Sequence, residues 1–221
     1  DAHCKGVVFG LSGGVDSAVV AGLSKLAFPE DSLGIMMPCH SNPVDEKHGL
    51  LLADSLDLKT EKVDLSGIYD MFVKTLKIKN VDNLATANIK PRLRMITLYY
   101  FAQKNNYLVL GGSNKSEFTV GYFTKHGDSG VDLLPIASFV KKDIWNMARY
   151  LNIPDIIIDK TPTAGLWENQ TDEEEMGFGY DILDKFILEG LGPKDIVEKI
   201  ERMNKASEHK RKFPPIFIPE E

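Results

Sequence analysis

Near its start the chain runs from a short apolar segment, Lys5 to Gly10 (KGVVFG), through Leu11-Ser12-Gly13-Gly14-Val15-Asp16 into a helical pattern, Ser17 to Leu26 (SAVVAGLSKL). A buried strand that turns on glycines directly into a helix opens a βαβ unit, and such units commit a chain to a parallel sheet. The alternation continues. Leu33 to Pro38 (LGIMMP) predicts a second strand, Val44 to Leu56 a helix, and Glu61 to Leu65 a short third strand. Ile68 to Leu76 has helical spacing, and Lys77-Ile78-Lys79-Asn80 is a polar connection. Arg92 to Lys104 predicts a helix that starts after Pro91, and Tyr107 to Gly111 (YLVLG) a fourth strand. Lys141 to Leu151 reads as another helix, followed by the apolar run Ile156-Ile157-Ile158. Pro162 to Gly177 is a second polar connection, Ile196 to Lys210 a long charged helix, and Pro214-Pro215-Ile216-Phe217 an extended tail. No repeat or linker divides the sequence, so one α/β domain is expected over residues 1–221.

Composition narrows the setting. Two cysteines, Cys4 and Cys39, are too few for a disulfide framework and form no C-x-x-C pair, which argues for a reducing compartment and against structural zinc. No apolar run reaches the ~18 residues of a membrane span, and no signal peptide is visible, so a cytoplasmic protein is expected. A net charge of −6 gives no general attraction to nucleic acid. The chain opens on Asp1 rather than Met, so processing or trimming ahead of the first strand is expected.

The turn itself, Gly10-Leu11-Ser12-Gly13-Gly14-Val15-Asp16-Ser17, is built to cradle phosphate. Glycines bring several N–H groups against an anion, the helix start adds partial positive charge, and the Ser12 and Ser17 hydroxyls are further donors. Asp16 would repel a bare phosphate, so its presence implies a bridging cation, Mg²⁺ before others. A Walker A loop needs a terminal Gly-Lys-Ser/Thr, which is missing; Asn114-Lys115-Ser116 lacks the glycine. Gly10-Leu11-Ser12-Gly13-Gly14 fits the G-x-S-x-G elbow of serine hydrolases, but Asp16 beside such a nucleophile would oppose a developing oxyanion.

The full string Ser-Gly-Gly-Val-Asp-Ser resembles the pyrophosphate loop of the N-type ATP pyrophosphatases, which cleave ATP between its α and β phosphates and adenylate a substrate. Several later motifs resemble ammonia-dependent NAD synthetases within that superfamily. They are Asn114-Lys115-Ser116-Glu117, Gly121 to Asp128 (GYFTKHGD), Val131 to Pro135 (VDLLP), Lys160 to Trp167 (KTPTAGLW), Gln170 to Gly177 (QTDEEEMG) and His209-Lys210-Arg211. They keep the family's order and spacing from about residue 6 to 215. The resemblance implies a three-layer Rossmann-like (adenine nucleotide alpha hydrolase-like) fold with a mostly parallel central sheet. It implies a homodimer, with deamido-NAD, ATP and ammonia as substrates and Mg²⁺ as cofactor. The resemblance also implies a helix ahead of the first strand, at the family's dimer interface, which the residues from Asp1 to Lys5 are too few to form.

Carried over residue by residue, the resemblance puts ATP on Gly10, Leu11, Ser12, Gly13, Gly14, Val15, Asp16, Ser17, Gly112, Lys141 and Thr163, with Mg²⁺ on Asp16 and Glu117. Gly112 departs from the pattern, since the family usually has a Thr there, and Lys90-Pro91 stands for its more usual Gln-Ala. Arg92, Phe123, Lys125, Asp132, Glu175, His209 and Lys210 are the implied contacts of the dinucleotide, with Arg94 an equal alternative to Arg92. Asp16, Lys141 and Asp128 are the expected catalytic groups, Asp128 and Glu175 being candidates for orienting ammonia or a ribose. Three of the four acids Asp172-Glu173-Glu174-Glu175, Glu175 excepted, read as a solvated helix start, and Lys142 and Lys74–Lys79 as exposed. His40 and His48 lack a third ligand and read as surface positions. The free-standing rivals are another adenylating amidotransferase resembling GMP synthetase, and a non-catalytic ATP-binding protein. A serine hydrolase comes third.

Overall fold

The computed structural model describes residues 2–81, 83–163, 165 and 171–219. Four strands, β1 (Gly6–Gly10), β2 (Ser32–Met36), β3 (Lys59–Lys62) and β4 (Tyr107–Leu110), form a fully parallel sheet in the order β3-β2-β1-β4. Alternation along β1 splits its side chains between two cores. Val7 and Phe9 pack with α1 (Val15–Ala27) and α2 (Pro43–Ser55) on one face, while Val8 joins Ile35 and Val109 on the other. Each such aliphatic side chain removed from water contributes about 1.5–3 kcal/mol. The second face is covered by α3 (Ser66–Thr75) and α5 (Ile89–Asn105), with the short α4 (Leu84–Ala87) packed against α5. This is the expected α/β sandwich with a parallel centre.

β3 is read one step late by its apolar residues. The ladder uses the polar Lys59–Lys62, an edge strand whose charges blunt further pairing, and Val63 and Leu65 follow it with single hydrogen bonds to Met36 O and Pro38 O. The helix expected from Arg92 begins instead at Ile89, because Pro91 sits in its first turn, where a missing N–H costs nothing.

Past β4 comes a helix, α6 (Lys115–Val120), set off by an Asn114 capping box. Next come α7 (Lys141–Tyr150) and α8 (Asp155–Ile158), where the isoleucine run forms a helical turn that buries Ile157 and Ile158. The polar stretch ends in α9 (Asp172–Met176), followed by α10 (Tyr180–Glu189), which the sequence pattern did not separate from its surroundings. The last long helix divides into α11 (Lys194–Ala206) and α12 (Glu208–Arg211) at Ser207, whose hydroxyl turns back onto Met203 O. Val120, Met176, Phe178, Tyr180, Leu183 and Ile200 make a third core around these helices. Among the described residues no helix is long and apolar enough to cross a membrane.

One buried carboxylate ties that third core to the sheet. Asp184 on α10 accepts from Ser116 Oγ at 2.5 Å, from Lys141 N at 3.3 Å and from Lys142 N at 2.8 Å, so it caps α7 from a neighbouring helix. Asp184→Ala would take the acceptor from Ser116 Oγ and Lys142 N, leaving Lys141 N only its bond to Ser116 Oγ at 3.1 Å. It is expected to cost about 2–3 kcal/mol in urea unfolding, read as a lower midpoint at unchanged slope.

Candidate active site

A cavity of about 840 Å³ opens at the carboxyl ends of β1, β2 and β4, where parallel sheets bind ligands. Gly10, Leu11, Ser12, Gly14, Val15, Asp16 and Ser17 line it; Gly13 does not, but it makes the turn possible. Its φ is +73°, and a Cβ there would lie 2.4 Å from Asp45 O. Gly14 is the N-cap of α1 and brings no side chain to its amides, so the helix start faces the cavity uncapped. Ser12 Oγ donates to Ser17 Oγ at 2.9 Å and Ser17 Oγ to Gly14 O at 2.9 Å. Among the described residues no histidine bonds Ser12, so the elbow lacks the base a serine hydrolase needs.

The centre of charge lies beside this turn. Lys141, on the first turn of α7 and 1% exposed, sets its Nζ 2.6 Å from Asp16 Oδ2 and 3.4 Å from Glu117 Oε1. Burial opposes its charge, but the two carboxylates outweigh that and hold the ammonium above its ordinary range. Asn114 Nδ2 donates to Asp16 Oδ1 at 2.8 Å. Burial first, then the charge of Asp16, pushes the Glu117 carboxyl up from 4.5 to about 8. Tyr180 lies under Lys141, with Nζ 4.8 Å from its ring centre, and its OH donates to Asp172 Oδ2 at 2.9 Å.

Asp172 corrects the solvated reading of the acidic run: it is 4% exposed, and burial raises its carboxyl. Two carboxylates thus share one lysine, with a third, Asp172, held beside them by Tyr180. The surplus negative charge and the hard oxygen donors suit Mg²⁺. Among the described residues no three metal-binding side chains converge on a point.

A second group of cations edges the same cavity. Arg92 Nη2 donates to Lys125 O at 3.2 Å, Lys125 Nζ to His209 O at 2.7 Å, and Lys210 Nζ to Gly121 O at 2.8 Å and Phe123 O at 2.9 Å. These bonds tie the 121–130 segment to the last helix. Phe123 stacks on Phe118 with centroids 5.4 Å apart, and Asp128 Oδ1 accepts from Thr124 N at 2.9 Å. Arg94 also lines the cavity, with its Nε directed to Met37 O at 3.3 Å, so both arginines reach the site from one helix face to the next. Glu175 accepts from Tyr122 OH at 2.7 Å, and Thr163 Oγ1 from Gly165 N at 3.1 Å. Gly112 and His209 line the cavity as well.

Asp132 does not. Its carboxylate accepts from Val109 N at 2.8 Å and Tyr99 OH at 3.1 Å, clamping the edge of β4. Ala164, Leu166, Trp167 and Gln170 of the quoted motifs lie outside the described residues. His48, expected at the surface, is 8% exposed, because α2 turns it inward behind Gly13; His40 is exposed and pairs with Asp70 at 2.7 Å. Sequence reasoning missed Asn114, Asp172, Tyr180 and Lys160, whose Nζ lies 2.6 Å from Asp45 Oδ1. Their side chains meet only through tertiary packing, and the acidic run disguised Asp172.

Comparison with known proteins identifies the family. Residues 1–214 match NAD synthase. The chain belongs to the NAD synthase family. The NH(3)-dependent NAD(+) synthetase of Finegoldia magna is 54% identical over 98% of this chain and 89% of its own. The structure of NMN synthetase from Francisella tularensis is similar with a TM-score of 0.91 at 34% identity, covering 97% of this chain and 90% of that one. The NH3-dependent NAD synthetase of Campylobacter jejuni, in complex with the nitrate ion, has a TM-score of 0.80 at 33% identity over 98% of this chain and 90% of that one. Members of the family are ligases, and so is this chain.

The raised Glu117 carboxyl has a consequence for stability. A folded value of about 8 against 4.5 means that the folded metal-free protein holds a proton which the unfolded chain releases. That contribution is complete below pH about 4.5 and is lost as pH rises through 8. Glu117→Gln, which keeps the neutral form, is therefore expected to gain melting temperature relative to the parent as pH rises from 5 to about 8.5, in EDTA.

Proposed function

We propose that this ligase amidates deamido-NAD with ammonia to give NAD, using ATP and releasing AMP and pyrophosphate through an acyl-adenylate. The observation that carries the reading is the buried triad of Asp16, Glu117 and Lys141 at the uncapped start of α1. A phosphate chain fits there, with donors from the turn and a lysine at its flank. In the proposed reaction the carboxylate oxygen of the pyridine acid attacks the α-phosphorus and the bond to the β-phosphate breaks. Ammonia then attacks the acyl carbon, and AMP leaves with the carboxylate oxygen. Lys141 would follow the developing negative charge on the phosphate oxygens, and the uncapped amides of α1 would share it. Asp16 and Glu117 would hold Mg²⁺, which when bound neutralises phosphate charge. The cations Arg92, Arg94, Lys125 and Lys210 suit the phosphates of a nucleotide acceptor. No side chain needs to become covalently attached, so positioning and exclusion of water are the work of the protein.

A second reading keeps the chemistry and changes the acceptor. The 0.91 TM-score to a structure named NMN synthetase favours testing nicotinate mononucleotide beside deamido-NAD. With ATP, Mg²⁺ and ammonium, deamido-NAD is expected to yield NAD, AMP and pyrophosphate in equal amounts. Faster turnover of the mononucleotide would move the assignment to the second reading. AMP without either amide would point to a different acceptor. Asp16→Asn is expected to lower turnover at least about a hundredfold with an unchanged circular dichroism spectrum, and full activity would remove Asp16 from the reaction.

The reading includes a homodimer in the cytoplasm. Support for the dimer lies in apolar side chains left in water on two neighbouring helices: Ile68 (54% exposed), Met71 (70%) and Phe72 (45%) on α3 and Leu76 (56%) at its C-cap, with Ile96 (60%) and Tyr100 (62%) on α5. An apolar face of this kind marks a protein interface. Light scattering after size exclusion is expected to give twice the chain mass, and the double variant Ile96→Asp, Tyr100→Asp the mass of one chain.

A further inference from the structure

We propose that Asn114 is the positioning residue that sets the spacing of the Asp16 and Glu117 carboxylates for a divalent cation, gripping the oxygen of each that Lys141 does not hold. The inference rests on the Mg²⁺ and ATP reading above and assigns a role to a side chain which that reading leaves out.

Lys141 reaches Asp16 Oδ2 at 2.6 Å and Glu117 Oε1 at 3.4 Å. The opposite oxygens belong to Asn114. Its side-chain Nδ2 donates to Asp16 Oδ1 at 2.8 Å, and its backbone N donates to Glu117 Oε2 at 3.4 Å. Its side-chain Oδ1 meanwhile accepts from Glu117 N at 3.0 Å, which starts α6 and fixes the backbone that carries Glu117. One amide therefore ties together residues 98 positions apart in sequence. Asn114 is fully buried at 0% exposure, so no water competes for these bonds.

The arrangement has a chemical logic. A lysine that serves a phosphate chain must be able to release the carboxylates it bridges. When it does, the lysine no longer fixes the positions of the two carboxyl groups. Asn114 stays in place and keeps one oxygen of each turned toward the gap that a cation would fill. The carboxamide is suited to this because it offers a donor and an acceptor in one plane. A serine can replace the acceptor at a helix N-cap, but it brings no donor that reaches Asp16.

That difference supplies the test. Asn114→Ser keeps the cap and removes the Asp16 contact, while Asn114→Ala removes both. Calorimetry with α,β-methylene ATP, in Mg²⁺ and in EDTA, measures how much Mg²⁺ tightens binding of the analogue, without turnover or acceptor. In Asn114→Ser that Mg²⁺-dependent gain is expected to fall about tenfold or more, as for residues that orient metal ligands. Its binding in EDTA and its melting temperature should stay close to the parent, with Asn114→Ala losing melting temperature as well. A serine variant that keeps the full gain shows that Asn114 is a helix cap and overturns the proposal. A serine variant as unstable as the alanine one overturns it too, since the residue would then serve the fold. A parent protein that gains nothing from Mg²⁺ instead refutes the metal reading on which the proposal stands, and the two failures are told apart.

Discussion

An ammonium group taken almost completely out of water, as that of Lys141 is, can exist only where opposite charge meets it. The chain meets it with Asp16 from the first helix and Glu117 from the sixth, and this triple contact dictates much of the architecture around the cavity. Asp16 can face it because the glycine turn brings β1 into α1 without a capping side chain. Glu117 can face it because Asn114 stops the chain after β4 and starts a helix three residues before the glutamate. Lys141 is aimed by the start of α7, which Asp184 and Ser116 hold from the third core. Remote packing thereby reaches the site: α10 contributes Tyr180 to the floor of the lysine and Asp184 to its backbone.

The same cluster is out of balance by design of its charges. Asp16 and Glu117 pair with one lysine, and burial first, with neighbouring carboxylates adding to it, raises the Glu117 carboxyl to about 8 and the Asp172 carboxyl above its ordinary value. Such strain in protonation is common where a protein prepares a place for a cation or for charge that develops during reaction. A phosphate chain arriving at the α1 start with its own metal ion would relieve it in both directions, drawing Lys141 toward phosphate and supplying positive charge to the carboxylates. The opposite rim carries Arg92, Arg94, Lys125 and Lys210, so the cavity has an acidic side and a basic side.

Much of this was legible in the sequence, for reasons that differ by element. β1 and α1 were readable because a continuous apolar run and a glycine turn are local features, and the phosphate-loop string carried the family with it. Lys141 and Glu117 were readable only through resemblance, since a lysine at a helix start or a glutamate in a loop has no local mark of burial. Asp172 was misread because three acids beside it have exposed positions in the same short helix, and only packing under Tyr180 tells it from them. β3 was displaced because its ladder is made by backbone bonds of polar residues at a sheet edge, while apolar Val63 and Leu65 lie beyond it. α10 passed unseen between the polar connection that ends at Gly177 and the charged helix expected from Ile196. Asp132, the residue that resemblance placed on substrate, instead fastens Val109 and Tyr99. Its position beside β4 is a fact of the sheet that no motif conveys.

The central claim is that this cavity joins a carboxylate to the α-phosphorus of ATP, so the oxygen that crosses is the most direct witness. Deamido-NAD labelled with ¹⁸O in the nicotinate carboxylate should be turned over with ATP and ammonium, and AMP and pyrophosphate weighed by mass spectrometry. The account predicts one ¹⁸O in each AMP and none in pyrophosphate. Unlabelled AMP beside NAD, or ¹⁸O in pyrophosphate, would contradict it.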